Sequence, residues 1–193
     1  MPLTLKDYAA AKKLKPAFLA SLGLSDHADG RGAYIRIPYF DTLGNVTALR
    51  QRLALDGAMR FAWRAGDKPT LYGLERLALA REKGCVVIVE GESDCHTLWA
   101  AGVPAIGLPG AGMWNEVRDA AHLDGIEKIY AVHEGDAGGA ALEAWLAKSA
   151  IAPRAHLVRM SPPAKDPSAL YLADPKAFKR AFTARLKAQG RIP

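Results

Sequence analysis

The sequence predicts an α/β fold, in which an open parallel sheet with helices on both faces follows a small basic α+β subdomain. From residue 85 onward, short apolar runs alternate with segments of helical spacing four times, as in a doubly wound sheet. Residues 86–89 are apolar throughout, which is typical of a strand buried on both faces. Residues 30–66 instead alternate as strands joined by a turn, which predicts a small antiparallel sheet.

The first 84 residues are assigned to the N-terminal subdomain. Residues 1–25 have the spacing of short helices, in which Thr4 and Asp7 resemble a capping box and Gly23 marks a stop. Strands are predicted over residues 34–39, 46–53 and 61–63, with a turn at 41–45. Leucines at helical spacing then predict a helix over residues 71–83, which ends at Gly84.

Residues 85–175 are assigned to the parallel-sheet domain. Its strands are predicted at 86–89, 105–108, 129–132 and 156–158, with helices at 93–101, 115–122 and 137–150. A last helix begins with Asp174 as its cap and Pro175 at its first position. This helix leads into a third segment, a basic helix or tail over residues 176–193.

Composition excludes several classes of protein. Half of the residues are apolar and 24% are charged, which excludes a disordered tail, a collagen-like fibre and a bare coiled coil. No apolar run approaches the roughly 18 residues of a membrane span, and charges throughout residues 1–20 argue against a secretory signal. Cys85 and Cys95 form no CxxC pair, which excludes a zinc ribbon within this sequence and favours a reduced, cytoplasmic setting.

Charge is distributed unevenly along the 193 residues, whose net charge is +6. Residues 1–70 hold 11 Lys and Arg against 6 Asp, and residues 176–193 hold 6 basic side chains and no acidic one. Residues 71–175 hold 9 basic and 14 acidic side chains. The basic ends suit a polyanion and the acidic centre suits a divalent cation, although an ordinary solvated surface would also account for the basic ends.

Carboxylates follow three of the four predicted parallel strands. Glu90 and Asp94 follow the first strand, Glu134 and Asp136 the third, and Asp166 the fourth. Because ligands bind at the carboxyl ends of such strands, these acids should lie together and repel one another unless a cation neutralises them. Oxygen ligands alone suit Mg²⁺ or Mn²⁺. Each acid taken singly could instead be a helix N-cap, an alternative that weakens when three strand ends carry acids.

Three segments together resemble a Toprim domain, the metal-binding fold shared by bacterial and phage primases, topoisomerases and certain nucleases. They are Val86-Val87-Ile88-Val89-Glu90-Gly91-Glu92-Ser93-Asp94, then Gly107-Leu108-Pro109-Gly110, then Glu134-Gly135-Asp136-Ala137-Gly138-Gly139. The family usually has Asp-x-Asp at the third segment, where this sequence has Glu134-Gly135-Asp136. Lys165-Asp166-Pro167 resembles a later acidic motif, and Ser168 stands where a second acid is often found.

The N-terminal subdomain narrows the resemblance to primases. The segment 34–41 with Gly44, followed by Arg50-Gln51-Arg52, Arg60-Phe61, Lys68 and Leu71-Tyr72-Gly73, is similar to the basic subdomain that precedes Toprim in phage and bacterial primases. Topoisomerases and Toprim nucleases lack that unit. The sequence therefore resembles a primase catalytic core without the zinc ribbon or helicase that often accompany it.

The resemblance implies synthesis of short RNA primers on single-stranded DNA from ribonucleoside triphosphates, by nucleotidyl transfer that depends on Mg²⁺ or Mn²⁺. It implies catalytic and metal-binding roles for Glu90, Glu134 and Asp136, with Asp94 and Asp166 as supporting ligands. A general base at Glu90 would need a raised pKa, which a bound metal opposes, so we favour ligation there. Template phosphates or the incoming triphosphate would be held by three cations, Arg50, Arg52 and Lys68. A replicative helicase or a separate zinc-binding module would be a partner.

Two other functions remain open from the sequence. A Toprim nuclease would use the same metals to hydrolyse a phosphodiester, although the basic N-terminal subdomain argues against it. A non-catalytic nucleic-acid-binding replication module would bind DNA without metal, and Glu134 would then mark a degraded metal site. His133 precedes Glu134 on the predicted strand and should point to the opposite face, so we expect a structural role for it.

Overall fold

A computed structural model of the chain describes residues 3–30, 32–57, 59–160 and 162–188. The backbone divides into two compact units, Met1–Thr70 and Leu71–Pro193. The second unit begins at Leu71, whereas the N-terminal subdomain was predicted to extend to residue 84. It does so because Leu71, Leu74 and Leu77 belong to the hydrophobic core of the parallel-sheet unit.

Two short helices open the first unit, as predicted: α1 (Leu5–Ala11) and α2 (Pro16–Ser21). The capping box at α1 is present, since the Thr4 hydroxyl accepts a hydrogen bond from Asp7 N and the Asp7 carboxylate accepts one from Thr4 N. Pro16 stands in the first turn of α2, where its missing N–H costs no helical hydrogen bond.

The first unit continues as a four-stranded antiparallel sheet in the order β1-β2-β3-β4. Its strands are β1 (Ser25–Asp29), β2 (Gly32–Phe40), β3 (Val46–Arg52) and β4 (Phe61–Trp63). Only three strands were predicted. The sequence gives no apolar alternation over β1, because this edge strand is polar and mostly exposed, and only its pairing with β2 identifies it.

The second unit contains the predicted parallel sheet. Its strands are β5 (Cys85–Glu90), β6 (Ala105–Leu108), β7 (Lys128–His133) and β8 (Ala155–Arg159), in the order β6-β5-β7-β8. All three neighbouring pairs are parallel. Residues 86–89 of β5 are each at most 1% exposed, so both faces of the central strand are covered. The predicted fold class is therefore confirmed.

Six helices accompany this sheet in the described part of the unit. They are α3 (Leu77–Glu82), α4 (Glu92–Ala100), α5 (Glu116–Asp119), α6 (Ala137–Leu146), α7 (Pro167–Ala173) and α8 (Phe178–Ala188). None of the helices in the described ranges of the chain is long and apolar enough to cross a membrane.

Four helical segments differ from the prediction, one of which is α6, which ends at Leu146 and not at residue 150. Over 71–83, Tyr72 forms an antiparallel bridge with Gly107 at the sheet edge, and helix begins only with a 3₁₀ turn at Leu74–Arg76. Helix α7 was not predicted, because its Asp-Pro start was interpreted only as an acidic motif. Asp174 does cap the last helix, which then runs from Phe178. The end of the predicted basic tail, residues 189–193, lies outside the described residues.

The strand order places a switch point between β5 and β7, since the chain leaves β5 toward β6 on one side and returns to β7 on the other. Pairing between β5 and β7 ends at Ile88 and Ala131, although both strands continue, to Glu90 and His133. A crevice therefore opens at the carboxyl ends of these two strands, where doubly wound sheets bind their ligands.

Replacing Gly73 with alanine should destabilise the second unit by about 2–4 kcal/mol, measured by chemical denaturation followed through tryptophan fluorescence. Gly73 has φ +90°, and an added Cβ would lie 2.6 Å from Cζ2 of Trp99. The backbone strain costs about 1–2 kcal/mol and the clash a similar amount. Gly125→Ala is the matched control, because Gly125 has φ +78° but an added Cβ there meets only Arg81 at 3.9 Å. Equal losses in both variants would contradict the packing argument.

Candidate functional site

Two of the predicted acids meet at the first turn of α6. An added Cβ at Gly138 would lie 2.6 Å and 3.0 Å from the carboxylate oxygens of Glu90, and 3.1 Å from Oδ1 of Asp136. The helix approaches Glu90 this closely only because residue 138 has no side chain. The signal in the sequence is the pair Gly138-Gly139 in a first helical turn, where glycine is otherwise unfavourable.

Asp136 is both a helix cap and a member of the acidic site. Its Oδ1 accepts a hydrogen bond from Gly139 N at 3.0 Å, so the N-cap alternative considered for this residue is confirmed. The residue is exposed to solvent. Because one carboxylate has two oxygens with about four acceptor positions, capping leaves capacity for a cation.

Asp94 of α4 and Asp166 both accept hydrogen bonds from backbone N–H groups at the start of α7. Asp94 is buried, and its Oδ1 accepts a hydrogen bond from Ser168 N at 2.8 Å. Asp166 caps the same helix by accepting from Ala169 N at 2.6 Å. Ser168, which stands where a second acid is often found, is buried with its hydroxyl 3.1 Å from that of Thr97. Ser168 therefore joins α7 to α4.

Glu134 experiences the charge of all the other predicted acids. Its pKa is raised from 4.5 to about 8, first by burial and then by repulsion from Asp94, Glu90, Asp166 and Asp136. Burial also raises the pKa of Glu90, and the charge of Asp136 adds to that shift. The structure thus brings together the five acids that the sequence singled out, at the carboxyl edge of the parallel sheet.

The chemistry of this cluster fits a hard divalent cation. Oε1 of Glu90 is buried and has no hydrogen-bond partner among the described residues. A set of carboxylate oxygens without thiol or imidazole is the donor set that Mg²⁺ and Mn²⁺ prefer. Among the described residues, no group of three His, Cys, Asp or Glu side chains is positioned to hold a metal ion. Binding would therefore require these carboxylates to rotate toward a common point.

The three predicted phosphate-binding cations lie in different surroundings within the first unit. Lys68 is exposed. The guanidinium of Arg50 lies 4.4 Å from the ring centre of Phe61, which leaves this arginine half-buried. Arg52 is only 5% exposed, and its guanidinium lies 4.8 Å from the ring centre of Tyr8. Its Nη2 also donates to Leu55 O at 2.8 Å, so this guanidinium is held within the unit.

Glu134→Gln should stabilise the metal-free protein increasingly as pH rises from about 5 to about 8. Below pH 4.5 the carboxyl is protonated in both the folded and the unfolded chain. Between that value and about 8 only the unfolded chain has lost the proton, so wild-type stability falls as pH rises. The gap should reach only the order of 1 kcal/mol, because solvent at this half-buried position reduces both the cost of burying the charge and the repulsion from the other acids.

Denaturant unfolding of wild type and variant at matched pH values, with a chelator present, measures this gap. Glu127→Gln is the control, since Glu127 is an exposed acid of the same unit. A gap between wild type and Glu134→Gln that does not change with pH would contradict the raised pKa of Glu134.

Solved primase catalytic cores share this fold. The chain matches the zinc-binding and RNA polymerase domains of the Aquifex aeolicus primase with a TM-score of 0.76 at 14% identity, over 97% of this chain and 56% of that one. For the RNA polymerase domain of Mycobacterium tuberculosis primase DnaG, in complex with a double-stranded DNA oligomer with a 6-nucleotide overhang, the TM-score is 0.72 at 18% identity, over 96% and 73%. For the primase fragment of the bacteriophage T7 primase-helicase it is 0.69 at 20% identity, over 92% and 72%.

No protein-family model matches the sequence. The gene 57 protein of Mycobacterium phage D29 is 33% identical to it over 132 residues, which cover 68% of this chain and 83% of the phage protein. The chain therefore belongs to the same family as the gene 57 protein of Mycobacterium phage D29, and its fold is that of a Toprim-type primase catalytic core.

Proposed function

We propose that this chain is the catalytic core of a DNA primase, which joins ribonucleotides into short primers on single-stranded DNA by metal-dependent nucleotidyl transfer. The observation that carries the proposal is the cluster of five carboxylates at the switch point between β5 and β7, in a fold shared with primase cores. Phosphoryl transfer needs little covalent chemistry from the protein. It needs positioning and compensation of the negative charge on the triphosphate.

Glu90, Glu134 and Asp136 are the residues we propose as ligands of Mg²⁺ or Mn²⁺, with Asp94 and Asp166 as supporting carboxylates. The metal would supply neutralisation of triphosphate charge and a fixed position for the reacting oxygens. Glu90 and Glu134 have raised pKa values, which makes a compensating cation favourable there. Asp94, Asp136 and Asp166 are each held in place by a backbone N–H of a helix start, and so present fixed oxygens to the cluster.

Arg50 and Lys68 are the residues we propose for contacts with template phosphates. For Arg52 we propose a supporting role, because its guanidinium packs against the same Phe61 ring as that of Arg50. Arginine offers a forked donor set for phosphate and lysine a mobile point charge. The net charge of +5 over residues 1–70 supports a polyanion partner for this unit. The M. tuberculosis domain of the same fold was solved with bound DNA.

We also propose that primer synthesis depends on modules supplied by other protein segments. The Aquifex structure combines zinc-binding and RNA polymerase domains, and the T7 fragment is part of a primase-helicase. A zinc-binding module and a replicative helicase are therefore the partners we propose, together with ribonucleoside triphosphates as substrates.

Glu90→Gln and Asp136→Asn should each lower incorporation of labelled ribonucleotides on single-stranded DNA by at least about a hundredfold. Both changes keep side-chain size and remove a charge that the proposed metal requires, and several kcal/mol of transition-state stabilisation depend on that metal. Gel analysis of products with Mg²⁺ or Mn²⁺ measures the effect. Glu127→Gln, an exposed acid outside the cluster, should retain wild-type incorporation. Shortening of the template by wild-type protein would instead favour the nuclease.

Arg50→Ala and Lys68→Ala should weaken binding of single-stranded DNA, and each should reduce the dependence of log K on log salt concentration by about 0.7. Each removed phosphate contact releases one fewer counterion from a single strand. Fluorescence anisotropy over a salt series measures the slope. Lys128→Ala, at the start of β7, removes an equal charge from the second unit and should leave the slope unchanged. An unchanged slope for both first-unit variants would contradict the proposed phosphate contacts.

A further inference from the structure

His133 is the last residue of β7 and directly precedes the acidic turn. Its Nδ1 accepts a hydrogen bond from Gly135 N at 2.9 Å. Gly135 has φ +76°, so the chain bends sharply between Glu134 and Asp136 at a residue that tolerates this conformation. The hydrogen bond therefore fixes the peptide group that joins Glu134 to the bend.

The imidazole is held against the start of α6. An added Cβ at Gly139 would lie 2.7 Å from Nδ1 and 2.8 Å from Cε1 of His133. The side chain is only 11% exposed. Gly138 thus leaves space for the carboxylate of Glu90, and Gly139 leaves space for the imidazole of His133. Both side chains therefore pack against the same turn of α6.

The second nitrogen of the ring faces a fixed charge. Nε2 of His133 lies 3.6 Å from Oε2 of Glu143 in α6. Nη2 of Arg159 in β8 donates to both oxygens of Glu143, at 2.8 Å and 3.0 Å. Because Nδ1 is the acceptor from Gly135, the ring hydrogen of the neutral form is on Nε2, the side that faces Glu143.

We propose that His133 is a positioning residue that braces the turn through Glu134, Gly135 and Asp136, with Glu143 and Arg159 orienting its ring. The brace links β7, α6 and β8 around the turn and sets the directions in which the two acids present their oxygens. This inference rests on the proposed function in one respect, the metal that these acids would hold. Groups that orient metal ligands commonly change metal affinity by 10- to 100-fold.

The test compares His133→Phe with His133→Asn in the full chain. Phenylalanine keeps a ring but has no acceptor, whereas an Asn side chain accepts a hydrogen bond from an N–H two residues later, as in an Asx turn. In metal-free protein we expect exchange of the Gly135 amide to be roughly fivefold faster in the Phe variant. Protection should return toward wild type in the Asn variant.

Mn²⁺ titration followed by electron paramagnetic resonance, without nucleotide or DNA, supplies the second readout. We expect Kd for Mn²⁺ to rise about tenfold or more in His133→Phe and to recover in large part in His133→Asn. His156→Phe is the matched control, because His156 is a half-buried imidazole on the neighbouring strand that contacts the ring of Tyr130. It should change neither readout.

Wild-type Gly135 protection in His133→Phe would overturn the brace, as would loss of protection in His133→Asn equal to that in the Phe variant. If wild-type protein binds no Mn²⁺, the metal assignment of the proposed function fails. The exchange pattern of Gly135 still decides the brace in that case, since it is recorded on metal-free protein.

Discussion

Repulsion among carboxylates at the switch point is the constraint on which the rest of the second unit depends. Parallel strands direct their carboxyl ends to one edge, and this chain places acids after three of its four strands. The aspartates at 94, 136 and 166 are stabilised by backbone N–H groups at helix starts. The pKa values of the two glutamates are raised, first by burial and then by repulsion from the neighbouring carboxylates. A cation is the neutralising partner that this chemistry favours.

The acids can lie this close together because helix α6 packs tightly against the strand ends. Gly138 and Gly139 lie in its first turn, and a side chain at either would collide with Glu90 or His133. Two glycines lower intrinsic helix stability by about 1 kcal/mol each relative to alanine. The remainder of α6 compensates through Leu142 and Leu146, which are fully buried in the core. Helix propensity is therefore low in the first turn, where the site requires space, and core packing stabilises the helix from the next turn onward.

The sequence predicted those elements whose apolar pattern reflects burial on the sheet. The four parallel strands were predicted within one or two residues, because central strands covered on both faces read as continuous apolar runs. Strand β1 and helix α7 were not predicted. Strand β1 is polar and is identified only by its pairing with β2. Helix α7 begins with Asp166 and Pro167, which were interpreted as an acidic motif and a helix breaker and not as a helix cap and first turn.

The sequence predicted the candidate site to a similar extent, and the parts that it did not predict were missed for similar reasons. The clustering of the acids at strand ends could be predicted, because it follows from the topology of the sheet alone. The surroundings of the basic residues could not be predicted in this way. Arg50 and Arg52 alternate on β3 and look equivalent in sequence, yet only the packing of α1 over the sheet places Tyr8 against Arg52. Likewise, the role inferred for His133 depends on a turn and a neighbouring strand that residue spacing does not encode.

Two departures from the usual Toprim pattern can be understood together. Ser168 replaces an acid at a buried position where its N–H binds Asp94. A carboxylate there would add negative charge beside Asp94, and would raise further a pKa at Glu134 that already reaches about 8. Glu134 replaces an aspartate and gains one methylene, so its carboxylate is carried on a longer, more flexible side chain. The hydrogen bond from Gly135 N to Nδ1 of His133 holds the backbone on which that side chain is carried. The chain thus combines a reduced charge at position 168 with a longer carboxylate side chain at position 134. In the metal site that we propose, the hydrogen bond at Gly135 would give this longer side chain a defined backbone from which to reach the cation.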